Sequence, residues 1–511
     1  MSEAGAGHGT RRRLLMILPG ALVGLEFLEN GMFVFAASHI VGGIDAAPRE
    51  FAQVQAAYAV GSMLMIVLQQ SFARHFGYRR YLCGALALFM AGAAASAAAG
   101  GLAALTAARL VQGFGGGALF TSARVLVNML FPATERPRAL KYFMLVLFGL
   151  SAAAPILAAA LVDGPGWAWV FLAVLPPAAV LLVACWRLLP DAVGRGAAPV
   201  RWDAAPLLLV AAALTLVQLA LSEARYDVSS DPLQLAALAG GGALLLAGFL
   251  IHQWRHAEPL LRVRELGHPA YATGLVLYFL HYLLSNATAY VFPIYAERSL
   301  GMPLLTTGWL NTFSALVSLG GAWVYVKTSR RLPGKKPVMA AGALLAALAA
   351  WGFSRMPPGV PPQALLLPLA AKGLFGVMLV LPVAGLTFRE LGEERFAPGY
   401  QSKNLMRQLA GSFSTAIAAI ALQDRQFANA SQLAGLAGPG HAPAADWLAD
   451  AQAGFAAQGL EPAQAHAAAL AALARLVEQQ SQLLSCEDLY RTIALVACAV
   501  AAVVLLQRRL R

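Results

Sequence analysis

Apolar positions in this chain do not alternate with polar ones; they come in long unbroken runs. The runs cover about residues 14–41, 52–69, 81–99, 103–130, 142–162, 166–188, 204–222, 234–253, 271–295, 304–326, 338–353, 364–388, 404–422 and 490–507. Most are near the roughly 20 residues that carry a helix across a bilayer, and Pro, Gly or charged residues close each one. Strands of an outer-membrane barrel would alternate in hydropathy instead. The pattern therefore predicts an all-α membrane protein with fourteen transmembrane helices.

Composition agrees with the pattern. Of 511 residues, 59% are hydrophobic and 12% charged, and the mean hydropathy is +0.64. A soluble domain carries about 25% charged residues, so a soluble enzyme, a disordered chain and a nucleic-acid binder are all excluded despite a pI near 9.8. The net charge of +12 reads as topology charge. If the N-terminus is inside and the runs alternate, every inward end holds three or more Lys or Arg, from Arg11, Arg12 and Arg13, through Arg187, Arg195 and Arg201 and Lys403 with Arg389 and Arg395, to Arg508, Arg509 and Arg511. The outward segments hold few, such as Arg49, Arg225 and Arg298. That asymmetry obeys the positive-inside rule and predicts N-in and C-in. The first run is too long for the apolar core of a signal peptide and is read as an uncleaved span. The four cysteines show no metal spacing; only Cys486 is expected in a polar exported segment, so no disulfide is expected.

The runs group into a cytoplasmic tail (1–13), an N-terminal six-helix bundle (14–188), two additional helices (204–254) and a C-terminal six-helix bundle (271–507). Within the last, residues 424–489 read as a long periplasmic loop. Helical spacing recurs inside it at Trp447, Leu448, Ala451 and Phe455, and again at Leu470, Leu473 and Val477 after Pro462. This segment is either a solvated cover over the outer face or a docking surface. The halves also repeat. "RLVQGFGGG" at Arg109–Gly117 and "KGLFGV" at Lys372–Val377 each put a cation early in a run with a glycine four residues on. Two related halves around a midplane site is a transporter architecture.

At these residues the chain resembles the major facilitator superfamily, and within it the fourteen-span drug:proton antiporter branch with its EmrB-type multidrug exporters. "LENGMFVFAASHI" lies in the register of the family's first-span "LDxTIVNVALP", which places Glu29 at the family's Asp. Arg109, Gln112 and Gly113 match the span-4 "RxxQG". Gly77, Arg79 and Arg80 fit the loop motif "GxLADRxGRR", whereas Gln70, Arg74 and His75 depart from it, Arg74 standing at the acid. In span 5, Ala154-Pro155 and Ala158-Ala159 stand where the branch has "GPxxGG", keeping small residues for close packing. The resemblance implies a major facilitator fold in a bacterial inner membrane and proton-driven export. It also implies a periplasmic adaptor (membrane fusion protein) and an outer-membrane channel as partners.

Ionisable groups inside spans cost about 2.5–3.5 kcal/mol each on insertion scales, so their default reading is functional. Glu26 and Glu29 are one helical turn apart. Desolvation and a neighbouring carboxylate both favour the protonated form of such a group, which suits proton coupling. Arg109 stays charged and would hold one carboxylate ionised; Gln112, Gly113 and Gly116 share its face. Arg124 is either an anion contact or a snorkelling inner-end residue. Gln112, Arg124, His281, Asn286, Tyr290, Phe33 and Lys372 are candidates for a substrate cavity, and Gly77, Arg79, Arg80, Gly113, Gly116 and Pro155 for structural roles. Nucleotide-binding loops, metal clusters and catalytic elbows do not occur in the sequence, so neither enzyme activity nor a cofactor is expected. The partners expected are protons, lipid and a small molecule. The reading is an exporter of hydrophobic or amphipathic drugs; the alternatives are a dedicated exporter of a metabolite such as a siderophore or weak organic acid, or a receptor that transports nothing.

Overall fold

The computed structural model describes residues 3–46, 48–196, 204–224, 232–256, 258–329, 331–332, 334–389, 391–437 and 441–510; Arg201, Arg225 and Arg511 lie outside them. Its described residues form helices and connections, with no strand among them. The N-terminal half contains α1 (Glu3–Phe35), α2 (Ala37–Gly43), α3 (Pro48–Ala97), α4 (Leu102–Leu130), α5 (Arg136–Asp163), α6 (Trp169–Leu172) and α7 (Leu175–Leu188). A pair follows, α8 (Ala204–Ala224) and α9 (Pro232–Arg255). The C-terminal half contains α10 (Pro269–Ile294), α11 (Leu304–Thr328), α12 (Lys336–Phe353), α13 (Leu366–Met378), α14 (Val380–Thr387), α15 (Glu393–Leu436), α16 (Ala442–Ala457) and α17 (Pro462–Leu506).

Among the described residues, twelve helical stretches are long and apolar enough to cross a membrane. One of them, Gln53–Ala97, has 45 residues, about twice what one crossing needs. It is broken at Gly77, whose φ of 77° and ψ of 154° are non-helical. Both arms of α3 then flank one stretch of α4: a side chain at Gly113 or Gly117 would strike the backbone of Tyr58 or Ser62, and one at Gly115 would strike Ala85 and Phe89. The helix therefore doubles back at Gly77. A Cβ there would also meet the Asp191 carbonyl at 2.8 Å, so glycine is required by conformation and by space. Conversely, α11 is not among the twelve stretches. Its Thr307, Thr312 and Ser314 are buried inside the bundle, and these polar residues lower its mean hydropathy.

Each half has its own apolar core, one built on α1, α3, α4 and α7 and the other on α10, α12, α13 and α17. The halves meet along two matching seams. On one, α5 packs against α11: Gly308 lies 3.0 Å from the Pro155 carbonyl and 3.0 Å from the Ala159 side chain, measured from the position its Cβ would take. Ala154, Ala158 and Ala159 are buried there, so the small residues of α5 set the approach. On the other seam, the first arm of α3 packs against α15, with α8 beside both. Gln401 fastens this seam. Its Nε2 donates to the carbonyls of Ile66 at 2.8 Å, Val67 at 2.7 Å and Leu260 at 3.2 Å, and its Oε1 accepts from Gln70 at 3.0 Å.

Residues 424–489 are helical for most of their length. Helix α15 runs on to Leu436, α16 packs on α17, and α17 continues unbroken from Pro462 into the last apolar run. Asn429 donates to Ser485 at 3.0 Å and Arg425 approaches Asp488 at 3.5 Å, tying the two long helices together. Cys486, expected in a polar exported segment, is instead buried in α17 against Ser299. It lies on the helix face turned to the core. All four cysteines are free.

Candidate functional site

The charged residues of the spans gather where α1, α4, α10 and α15 converge. Helix α1 turns Glu26, Glu29 and Phe33 toward α4 and α15. From α4, Arg109 Nη1 donates to Glu29 Oε1 at 2.5 Å and to Gln112 Oε1 at 2.8 Å. Its guanidinium lies 3.9 Å from the Phe33 ring centre and 4.3 Å from that of Tyr58. Both partners are at most 1% exposed, so the ion pair is sealed in protein. Such pairs are stable only when geometry and further hydrogen bonds offset desolvation; Gln112 and the two rings supply part of that offset here, while Glu29 Oε2, Arg109 Nε and Gln112 Nε2 are buried with no hydrogen-bond partner among the described residues. Gly113 and Gly116 allow this arrangement, because any side chain at either would strike Tyr58.

Glu26 does not share Arg109. It accepts from Arg407 Nη2 at 3.3 Å, and Arg407 belongs to α15 in the other half. The Arg407 guanidinium rests 3.6 Å from the Phe120 ring and 5.0 Å from Phe27. One carboxylate on α1 thus closes a pair within its half, and the other closes a pair across the halves.

Lys403 stands one turn before Arg407. By hydropathy alone it groups with the inward loop charges, because the apolar run begins at about residue 404. The structure corrects this: α15 starts ten residues earlier, at Glu393, and Lys403 is only 5% exposed. Its ammonium donates to Asn404 at 3.1 Å and is ringed by Tyr400 at 4.8 Å, Phe120 at 5.2 Å, Tyr278 at 5.3 Å and Tyr282 at 5.8 Å. The i, i+4 spacing of Lys403 and Arg407, with Tyr400 beside them, was the signal that could have found this face. Arg124 is mostly buried on α4, donates to Asn128 at 2.7 Å and lies 5.0 Å from Phe396.

The remaining candidates divide. His281 is buried with its ring 5.0 Å from Phe375 and 5.2 Å from Tyr282, beside the Lys403 cage. Asn286 spends its amide on the Tyr282 carbonyl at 2.7 Å, and Tyr290 packs against the core of the C-terminal half. Lys372 stands apart, bonded to Asn311 at 2.9 Å and 5.0 Å from Phe292. It matches Arg109 by position but has no carboxylate partner among the described residues. At the turn of α3, Arg79 pairs with Asp191 at 3.1 Å and lies over Trp186, while Arg80 faces solvent. Beyond the cluster, an apolar cleft of about 460 Å³ opens between α5 and α11, with Lys141 and Lys327 at its rim.

A family model described as Major Facilitator Superfamily matches residues 20–415. The chain belongs to that superfamily. It is similar to a putative multidrug resistance protein MdtD of Salmonella heidelberg (strain SL476), 25% identical over 415 residues, with 81% of this chain and 86% of the relative covered. It is also similar to an uncharacterized MFS-type transporter YhcA of Bacillus subtilis (strain 168), 21% identical over 421 residues, covering 82% and 78%. Among solved structures, the fold matches a peptide transporter POT in complex with sulfate at a TM-score of 0.62 and 16% identity, over 96% of this chain and 94% of that one. It matches the xylose transporter XylE from E. coli at 0.54 and 14%, over 80% and 90%. This member of the superfamily is therefore a multi-pass membrane transporter and not an enzyme.

Proposed function

We propose that this transporter is a proton-coupled antiporter that exports hydrophobic or amphipathic small molecules across a bacterial inner membrane. The observation that carries the reading is the division of labour on α1. Glu29 is paired inside its half by Arg109, while Glu26 is paired across the halves by Arg407. A proton taken up by Glu26 removes the charge that holds Arg407, and the contact between α1 and α15 loosens. Release of that proton restores the pair. Proton and substrate then occupy the cluster in alternation, which is what antiport requires. The name of the MdtD relatives supports a drug-like substrate.

We read the topology as fourteen crossings with both termini inside. The doubling of α3 at Gly77 and the packing of α11 against α5 and α13 support two crossings beyond the twelve apolar stretches. The resemblance to EmrB-type exporters supports a periplasmic adaptor and an outer-membrane channel as partners, with the projecting α15–α16–α17 assembly as the docking surface.

The test is uptake into proteoliposomes under an imposed pH gradient, compared with gradient-free substrate exchange. Glu26→Gln is expected to keep exchange and lose accumulation, and Glu29→Gln to lose accumulation as well. Accumulation at the wild-type level in both variants would sink the coupling reading.

A further inference from the structure

The fixed charges at the cluster do not balance. Among the described residues four cations face it, Arg109, Arg124, Lys403 and Arg407. Two carboxylates face it, Glu26 and Glu29, and each is already committed to an arginine. Among the described residues, the only other buried acid is Glu265, which lies by Arg395 and His268. His281 beside Lys403 brings no negative charge. Lys403 and Arg124 are thus left with neutral partners, Asn404 and Asn128. A buried cation is costly unless an anion or several polar groups answer it. Cation–π contact with four rings offsets part of that cost at Lys403, but a ring is a weaker partner than a carboxylate.

The two cations are neighbours through aromatic rings. Arg124 lies 5.0 Å from Phe396, Phe396 stacks nearly parallel on Tyr400 with centres 5.7 Å apart, and Tyr400 lies 4.8 Å from Lys403. Two positive groups without an anionic partner, beside a pair of stacked rings, suit a flat molecule that carries a negative charge. The groups also come from both halves, Arg124 from α4 and Lys403 from α15, so a bound anion would bridge them as Glu26 and Arg407 do. The cleft between α5 and α11 has the same character, with Met144, Leu145, Leu319 and Trp323 as walls and two lysines at the rim.

We propose that the substrate is an aromatic organic anion, and that Lys403 and Arg124 receive its acidic group against the rings of Phe396 and Tyr400. The proposal rests on the exporter reading above and narrows its substrate class. A cationic drug would meet net positive charge here, because among the described residues both carboxylates at the cluster already face an arginine.

The experiment uses the purified full chain and matched probes: 2-naphthoate and naphthalene-2-sulfonate as anions, 2-naphthamide as the neutral form, and 2-naphthyltrimethylammonium as the cation. Binding is measured by calorimetry in detergent and uptake in proteoliposomes under a pH gradient. The anions are expected to bind at least tenfold more tightly than the amide, and the cation not at all. Lys403→Gln and Arg124→Gln are each expected to weaken anion binding about 10–100-fold, the loss of one charge-assisted hydrogen bond. Amide binding should change little, and Lys403→Arg should retain most of the affinity. Should Lys403→Gln fail to fold, Arg124→Gln and Lys403→Arg still carry the comparison. Equal binding of the amide or the cation, no binding of either anion, or wild-type anion affinity in the Gln variants overturns the proposal. Gradient-driven uptake of the cation alone overturns it while leaving the exporter reading intact. Lysine-dependent anion binding without gradient-driven uptake supports the anion site and refutes proton-coupled export.

Discussion

Replacing Arg109 by alanine should be among the most damaging single changes available in this protein. The guanidinium has no exposure, and its removal takes away the 2.5 Å bond to Glu29, the 2.8 Å bond to Gln112 and the contacts to Phe33 and Tyr58. What remains is a carboxylate with no cation in a sealed site. Breaking a buried pair in this way costs about 3–5 kcal/mol, mostly as the penalty of the charge left behind. Truncation also opens a void where a long side chain lay, which adds to the loss. Arg109→Lys keeps a charge but not the planar guanidinium that lies over Phe33 and Tyr58, and should cost less. The double variant Arg109→Ala, Glu29→Gln removes the orphaned charge as well and should recover about 0.5–3 kcal/mol, the range of coupling between contacting residues. The assay is unfolding in mixed micelles at pH 8, followed by tryptophan fluorescence, for the wild type, both single variants and the double variant. Lower pH should narrow the deficit of Arg109→Ala, because a protonated Glu29 no longer needs a cation. If the double variant is as unstable as Arg109→Ala, or the deficit is unchanged by pH, the two side chains do not act as a buried pair and the reasoning fails.

Further outcomes follow from other contacts. Gly113→Val should prevent α4 from closing on Tyr58 and yield no folded protein in detergent chromatography, whereas Gly84→Ala, with open space around its Cβ position, should behave as wild type; a monodisperse Gly113→Val would contradict the packing. Gln401→Ala removes the hydrogen bonds that hold α15 to Ile66 and Val67, so the seam should open about tenfold more often, the effect of about 1.4 kcal/mol. A cysteine at Ser71 in a background lacking the four native cysteines should then react faster with maleimide, and an unchanged rate would refute the latch. Deletion of α16 should leave vesicle transport intact but abolish drug resistance in whole cells; full resistance in the deletion strain would reduce the projecting helices to a cover.

Much of this protein is legible in the order of its residues. Long apolar runs broken by Pro, Gly and charge define helices because a bilayer leaves the backbone no other partners. Glu29, Arg109 and Gln112 stood out for a related reason: ionisable and amide groups inside such runs are too costly to be idle. Gly113 and Gly116 stand on the face of Arg109 in the sequence, and only the fold names Tyr58 as the residue they admit. Other features belong to the tertiary structure alone. Glu26 looked like a second claimant for Arg109, but its partner is Arg407, 381 residues away on the opposite half. No local pattern encodes a pairing at that separation. Lys403 looked like a loop charge because hydropathy marks where apolar residues begin, not where a helix begins. Only the packing of Phe120, Tyr278, Tyr282 and Tyr400 around it shows that α15 carries the charge into the interior. The balance of charge at the cluster is likewise a property of convergence: the sequence lists its cations and acids, and only the meeting of α1, α4, α10 and α15 decides which of them are answered.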